Sequence, residues 1–456
     1  MCRLIIKNVN ILTMNSEKEI IENGVVVIKD NLIEAVGEKA LLEKYKTENI
    51  IDGNNGILMP GMINTHTHAA MVVFRSLGDD VADRLKRYIF PLENMLVDKS
   101  LVALGSKYGI AEMLLSGVTT FADMYYFEDE VAKAAKEMGI RAVLGETVVD
   151  FPSPDSKEAY GGLEYAEWFI EKWKNDELIT PAIAPHAPYT NDSKHLQKAS
   201  SLSKKYKVPM IMHVAEMDFE IEKYKVEYDM TPIQYLDSLG ILDDRFIAAH
   251  LIHVTDKDMD TIEKRNIGIS HNIGANSKAG KGVPPLKDMH RRKLRVGLGS
   301  DGPMSGNTLD IVTQMSLVGK VHKLFNKDRT LFPAKEIVEM ATLGGARALN
   351  MDKYIGSIEP GKKADLVIFE TCSVNMQPIY DYYGAIVYSA NASNVNTVIV
   401  NGRVLVKDKI FSEFNFIKTK EELKRLGERI MAAANKIDEC YIFNHKTNSL
   451  ICDIDK

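Results

Sequence analysis

The stretch "MPGMINTHTHAA", residues 59–70, decides the fold. A short apolar run leads straight into His66 and His68, one residue apart. In a strand, residues i and i+2 point to the same face, so the two imidazoles converge on one point. A transition metal is a common occupant of such a point. A histidine doublet alone is a weak signal, and the remaining ligands must come from elsewhere in the chain.

Outward from this strand, residues from about 60 to 350 alternate apolar strand-like runs with amphipathic stretches. After "INTHTH" the runs are "VTTFADMY", "AVLGETVV", "PAIAPHAPY", "PMIMHVAE", "FIAAHLIH", "IGISHN" and "RVGLGSDG". Between them, "LVALGSKYGIAEMLLSG" (101–117) and "SKHLQKASSLSKKY" (193–206) read as helices. Strand alternating with helix predicts parallel βαβ units. Eight such strands over roughly 290 residues predict an α/β fold of the closed (β/α)8 TIM type. An open doubly wound sheet would want a glycine-rich phosphate turn after its first strand, and none is present. "GANSKAGKG" (274–282) departs from a Walker loop in its spacing and in Gly282, and reads as a loop on the active face.

The chain ends are β-rich. "GVVVIKDNLIEAVG" (24–37) and "NTVIVNGRVLV" (396–406) each read as a hairpin, the second around Asn401-Gly402, and "ADLVIFE" (364–370) reads as a further strand. They predict a small β-sandwich domain built from both ends of the chain. The expected division is 1–58 and 356–412 for the two parts of that domain, 59–355 for the barrel and 413–456 for a closing helix and tail. The helix is "KTKEELKRLGERIMAAANKI" (418–437).

With 456 residues, 45% hydrophobic and 26% charged, the chain has the balance of a globular protein too long for one core. A net charge of −6 argues against a nucleic-acid or anionic-membrane partner. Cys2, Cys372, Cys440 and Cys452 are scattered with no Cys-x-x-Cys, which fits a reducing compartment and excludes a disulfide scaffold. The N-terminus lacks the pattern of an export signal, and no apolar run reaches the ~18 residues of a membrane span. The expected location is cytoplasmic.

The histidines fall at strand ends. His66 and His68 end the first barrel strand, His186 the fourth, His213 the fifth and His250 the sixth; His271 lies at the seventh and Asp301 ends the eighth. Active sites of this fold lie at the C-terminal ends of the strands. His195, His290, His322 and His445 sit in polar or helical contexts and read as surface residues, while His253 has no assigned role. His66, His68 and His213 with Asp301 supply three imidazoles and a carboxylate and leave a position for water, the mark of a catalytic zinc site. Zinc lowers the pKa of its water to ~7; Fe²⁺ or Mn²⁺ suits the same donors. Glu216, three residues past a ligand in "HVAE" (213–216), can carry a proton between water and substrate. His250 can hydrogen-bond the attacking water, and His186 can orient a substrate group.

In order, "PGMINTHTH", "HVAE", "IAAH", "ISHN", "GLGSDG" and the closing "GSIEPGKKADLVIF" (356–369) resemble the amidohydrolase superfamily over nearly the whole chain. The chain is similar to the branch holding 5′-methylthioadenosine/S-adenosylhomocysteine deaminases with chlorohydrolase and guanine deaminase relatives, and "FRSLGDDVADRLKRYIFPLENML" (74–96) carries that likeness further. The resemblance implies a metal-dependent hydrolytic deaminase that converts an adenosine derivative to the inosine derivative and ammonia. It implies one divalent ion, because the fourth-strand segment has no lysine to bridge two. It also implies a small purine nucleoside as partner and a homo-oligomer, dimer or tetramer.

By that resemblance His66, His68, His213 and Asp301 are the metal ligands, and Asp301 also takes a proton from the attacking water. Glu216 shuttles a proton at the purine N1, His250 positions the nucleophile and His186 contacts the substrate. Glu93 of "FPLE" holds the ribose hydroxyls, and Ser305 of "DGPMSGN" lines the pocket. One departure is Glu146 in "LGETVVDF" (144–151), where S-adenosylhomocysteine-type relatives commonly show an arginine after the third strand. A glutamate there would repel a substrate carboxylate. S-adenosylhomocysteine is therefore expected to be less favoured than 5′-methylthioadenosine or 5′-deoxyadenosine. The alternatives are a guanine or other nucleobase deaminase or a chlorohydrolase on the same scaffold and, from a different class, a non-catalytic metal-binding scaffold.

Overall fold

The computed structural model describes residues 3–447, with side chains through residue 440. The expectation of a surface position for His445, and the polar tail, lie outside the described side chains. The chain opens with β1 (Arg3–Leu12), β2 (Ile20–Lys29), β3 (Leu32–Gly37) and β4 (Ile50–Pro60). Eight strands follow: β5 (Met62–Thr67), β6 (Val118–Tyr125), β7 (Arg141–Val148), β8 (Ile179–Pro185), β9 (Met210–Val214), β10 (Phe246–His250), β11 (Gly268–His271) and β12 (Arg295–Leu298). The last strands are β13 (Leu366–Phe369), β14 (Val395–Val400), β15 (Arg403–Lys407) and β16 (Ile410–Phe411).

Strands β5 to β12 pair in chain order and in parallel, as alternating helices require. β6 and β7 are buried at every position, because helices cover one face and barrel-filling side chains the other. Ile63, Ala122, Val143, Ala182, Ile211 and Ile247 form one buried cluster contributed by successive strands. The seam between β12 and β5 is joined above the strands. Ser300 N–H donates to Asn64 Oδ1 at 3.0 Å, and Asp301 N–H donates to the His66 carbonyl at 3.1 Å. Gly299 permits this closure, since a Cβ there would lie 2.1 Å from Asn272 Oδ1.

The covering helices follow from their patterns. In Ser193–Tyr206, Leu196, Ala199, Ser200 and Ser203 make the buried stripe. The Asp192 side chain caps the start by accepting from His195 N–H at 2.8 Å. Lys207, at φ +56°, ends the helix.

The strands of both chain ends form one mixed sheet in the order β16-β15-β14-β13-β4-β1-β2-β3, so the expected sandwich is one continuous sheet by hydrogen bonding. The sheet curls back on itself. Ile33 N–H in the edge strand β3 donates to the Lys362 carbonyl at 2.8 Å, on the segment leading into β13. Ile6, Ile28, Leu58, Ile368 and Ile399 are buried together inside the curl. The hairpin at Asn401-Gly402 forms with φ +50° and +76°, the left-handed pair that a tight two-residue turn requires. A buried bidentate ion pair ties this sheet to the barrel. Arg141 Nε and Nη2, at the start of β7, reach Asp365 Oδ2 and Oδ1 at 2.8 and 3.3 Å.

A long helix, Phe416–Thr447, closes the described chain. Its Asp438 accepts from Tyr88 Oη and Arg87 Nη2, both at 2.6 Å, and so braces the segment that leads to Glu93. Cys372 is a free exposed thiol. Among the described residues no helix is long and apolar enough to cross a membrane.

Candidate metal centre and cavity

At the C-terminal rim of the barrel the strands deliver their polar side chains to one point. Three imidazoles are oriented by what holds the other ring nitrogen. His68 Nδ1–H donates to the Met124 carbonyl at 2.6 Å, His213 Nδ1–H to the His186 carbonyl at 2.8 Å and His250 Nδ1–H to Asn276 Oδ1 at 2.8 Å. Each bond fixes the tautomer and leaves the Nε2 lone pair pointing inward. Backbone strain gathers at the same rim. Ala215, His250, Leu251 and Asp301 are all left-handed, with φ of +53°, +76°, +47° and +57°.

The inward atoms lie close. His68 Nε2 is 3.3 Å from His213 Nε2 and 3.3 Å from Asp301 Oδ1, and His66 Nε2 is 3.5 Å from the same oxygen. The approach of His68 Nε2 to His213 Nε2 sets lone pair against lone pair unless a proton or a metal ion lies between them. A tetrahedral ion with bonds of about 2.0–2.1 Å has ligand-to-ligand edges of about 3.3–3.4 Å, which these separations match. His66 supplies an independent sign: it is buried and neither ring nitrogen has a hydrogen-bond partner. His250 also offers an atom within 4.8 Å of those of His66, His213 and Asp301. The shortest approaches nevertheless belong to His68, so His66, His68, His213 and Asp301 could hold a divalent ion, with His250 one step out.

The electrostatics agree. Burial pushes His66 down to about 4 and His213 well below its usual range, so both are neutral donors at pH 7. Burial also works against ionised Asp301, yet the imidazoles of His66, His68 and His250 around it hold it well below the usual carboxylate range. For His68, burial opposes the charged form, but the Asp301 contact and the charges of Asp301 and Asp123 hold it up at about 9. The cluster thus favours one positive charge at its centre, which a proton on His68 or a divalent ion can supply.

Beside this centre lies a cavity of about 550 Å³, within the ~300–1,000 Å³ of small-molecule sites. Glu93, His186, Glu216 and Ser305 all line it, together with His68, His213 and Asp301. Glu216 Oε1 is 3.5 Å from His250 Nε2 and is ion-paired to Lys281. Burial works against ionised Glu216, but His250 and Lys281 hold its carboxyl below the ordinary value. Glu93 accepts from Tyr125 Oη at 2.8 Å, and burial pushes its carboxyl up to about 7.

Two expectations from sequence are corrected. Glu146 does not line the cavity; it is buried, accepting the Glu128 N–H at 2.9 Å. Burial and the neighbouring Asp155 push its carboxyl well above the usual range, and its place outside the cavity keeps it from a substrate. His322 is not a surface residue: it is buried, with Nε2 2.9 Å from His271 Nε2. That pairing also turns His271 away from the metal centre. His253 stands apart as well, with Nε2 3.4 Å from the exposed Asp218.

Sequence reasoning missed Lys281, on the loop after the helix Ile273–Lys278, and Glu220. Glu220 accepts the Ala215 and Glu216 N–H groups, both at 3.0 Å, and so holds the turn that presents Glu216. Also missed was a clasp at the cavity mouth. Asp79 accepts from Lys278 at 2.6 Å, from Asn307 Nδ2 at 2.7 Å and from Arg84 at 3.3 Å. Arg84 in turn donates to the Met304 carbonyl at 2.9 Å.

Barrel, histidine–aspartate centre and cavity define a metal-centred barrel, and comparison gives its class. The chain belongs to the Amidohydrolase family, whose model matches residues 57–405. It is 43% identical over 401 residues to a Thermodesulfovibrio yellowstonii protein named 5-methylthioadenosine/S-adenosylhomocysteine deaminase, covering 87% of this chain and 91% of that one. A Syntrophus aciditrophicus protein named 5-methylthioadenosine/S-adenosylhomocysteine deaminase 1 is 38% identical over 423 residues, covering 92% and 96%. Among solved structures, an adenosine deaminase from Xanthomonas campestris with bound zinc is 28% identical, with a TM-score of 0.92 and coverage of 94% and 99%.

Proposed function

We propose that this chain is a hydrolase of cyclic amidines that deaminates an adenosine derivative to the inosine derivative and ammonia. The observation that carries the reading is the placement of Glu216 in one cavity with the His66–His68–His213–Asp301 cluster, its Oε1 3.5 Å from His250 Nε2. The names of the relatives and the zinc in the adenosine deaminase structure support both the reaction and zinc as the ion. An ion held by the cluster lowers the pKa of water and so makes hydroxide available at neutral pH.

The chain's own groups do the rest. Asp301 accepts a proton from the attacking water, and His250 Nε2, its lone pair inward, holds that water toward C6. Glu216, ionised beside Lys281, takes up the other water proton and delivers it to N1, which makes C6 electrophilic. The C6–O bond forms and the C6–N6 bond breaks; of the two water protons, one ends on N1 and the other on the departing ammonia. His186 contacts the substrate, Ser305 lines its pocket, and Glu93 accepts the ribose hydroxyls.

Glu93→Gln is accordingly expected to raise KM for nucleosides by roughly 10-fold or more, the cost of losing a charge-assisted bond, and to leave kcat nearly unchanged. Steady-state kinetics on an adenosine and on free adenine check this. Equal effects on the two would remove Glu93 from the ribose site.

Every cation lining the cavity already has a partner: Arg84 and Lys278 on Asp79, and Lys281 on Glu216. A substrate carboxylate would compete with Asp79 and Glu216 for these cations. Ranking kcat/KM for 5′-methylthioadenosine, 5′-deoxyadenosine, adenosine, S-adenosylhomocysteine, adenine and guanine tests both the reaction and this preference. The expected order places 5′-methylthioadenosine or 5′-deoxyadenosine above S-adenosylhomocysteine. S-adenosylhomocysteine at the top would contradict the preference, and turnover confined to a free base would contradict the substrate.

A further inference from the structure

Resting on the proton-transfer role given to Glu216, we infer that Lys281 is a positioning residue for the reaction, holding Glu216 by Oε1 so that Oε2 is presented to the substrate. Lys281 is placed by its backbone. It sits between Gly280 and Gly282, at φ +63° and +118°, conformations that L side chains rarely adopt. A Cβ on Gly282 would come within 3.0 Å of Ile252 Cγ2. The Lys281 N–H donates to the Asn276 carbonyl at 3.0 Å, and the Asn276 side chain is the acceptor that orients His250. One loop therefore fixes both groups that flank Glu216 Oε1.

A glutamate at a strand end has three rotatable side-chain bonds and can turn into solvent or onto the metal ligands. The backbone at Ala215 and Glu216 is held by Glu220, which sets where the side chain starts but not where it points. The Lys281 ammonium supplies the second anchor. It is mostly buried, with a side chain 19% exposed, and it is bonded to the same oxygen that His250 approaches. An ammonium in this place costs burial that a purely structural contact could avoid with a neutral donor.

The test is steady-state kinetics of Lys281→Met and Lys281→Arg on 5′-methylthioadenosine, with thermal midpoints. Loss of a group that orients a reacting residue typically costs about 10–100-fold in activity, so Lys281→Met is expected to lower kcat by that factor while KM stays within about twofold. Lys281→Arg, which keeps the charge, is expected to recover most of the loss. An unchanged kcat in Lys281→Met overturns the inference, and so does a rise in KM at constant kcat, which would make Lys281 a substrate contact. Should the methionine variant not fold, Lys281→Gln carries the same expected and overturning results. A wild-type protein inactive on every adenosine would overturn the functional reading and this inference with it. An active wild type with unaffected methionine and glutamine variants overturns the inference alone.

Discussion

Glu216→Gln is expected to lower kcat for 5′-methylthioadenosine by about 10²–10⁴-fold, the usual contribution of a positioned general acid or base, with little change in KM. The amide keeps the size of the carboxyl and can still accept from Lys281, so the clasp on this side of the cavity survives. What it loses is the ability to take up and release a proton at Oε2. The carboxyl is well suited to that exchange. It is buried beside two cationic or proton-bearing partners, His250 and Lys281, and it lines the cavity. Measuring kcat and KM separately checks the result. A fall confined to KM would make Glu216 a binding group and remove it from proton transfer.

The second large effect is expected at Asp301. Its Oδ1 is 3.5 Å from His66 Nε2 and 3.3 Å from His68 Nε2, so it serves two imidazoles at once. In the proposed mechanism it is also the carboxylate that takes the water's proton. Asp301→Ala therefore removes a ligand and a base together, and should lower turnover by at least about 10³-fold. Metal content is the independent reading: Asp301→Ala should hold well under one divalent ion per chain after exposure to zinc and desalting. Full metal occupancy with lost turnover would leave Asp301 a base but not a ligand. Full occupancy with retained turnover would contradict both roles.

Much of this was legible before any coordinates, for a physical reason. In a parallel barrel the strand ends share one rim, so polar residues that close apolar runs must meet there. His66, His68, His213, His250 and Asp301 could be placed together on that ground alone. What strand position does not give is the direction of a side chain at the rim. His271 closes its strand like the others, yet it turns toward the helix Ile311–Asn326, where His322 meets it. His322 carried a readable signal, because it continues the buried stripe of Ile311, Met315 and Val318 at helical spacing.

Glu146 was misread for the opposite reason. The expectation rested on its position after the third strand, but its side chain packs beside Glu128 and Asp155 and never reaches the cavity. Lys281 lies in a loop without periodicity, where only its two flanking glycines hinted that the backbone was being bent to deliver a side chain. The clasp of Asp79, Arg84, Lys278 and Asn307 joins two separate loops and the end of a helix, and no local pattern reports such a meeting.

The most direct measurement is ammonia release from 5′-methylthioadenosine by zinc-loaded protein and by the same protein after chelation. Rapid release with zinc, loss on chelation and recovery on adding zinc back are the predicted results. Turnover that persists undiminished in chelated, metal-free protein would contradict the account, as would a zinc-loaded protein that releases no ammonia from any adenosine.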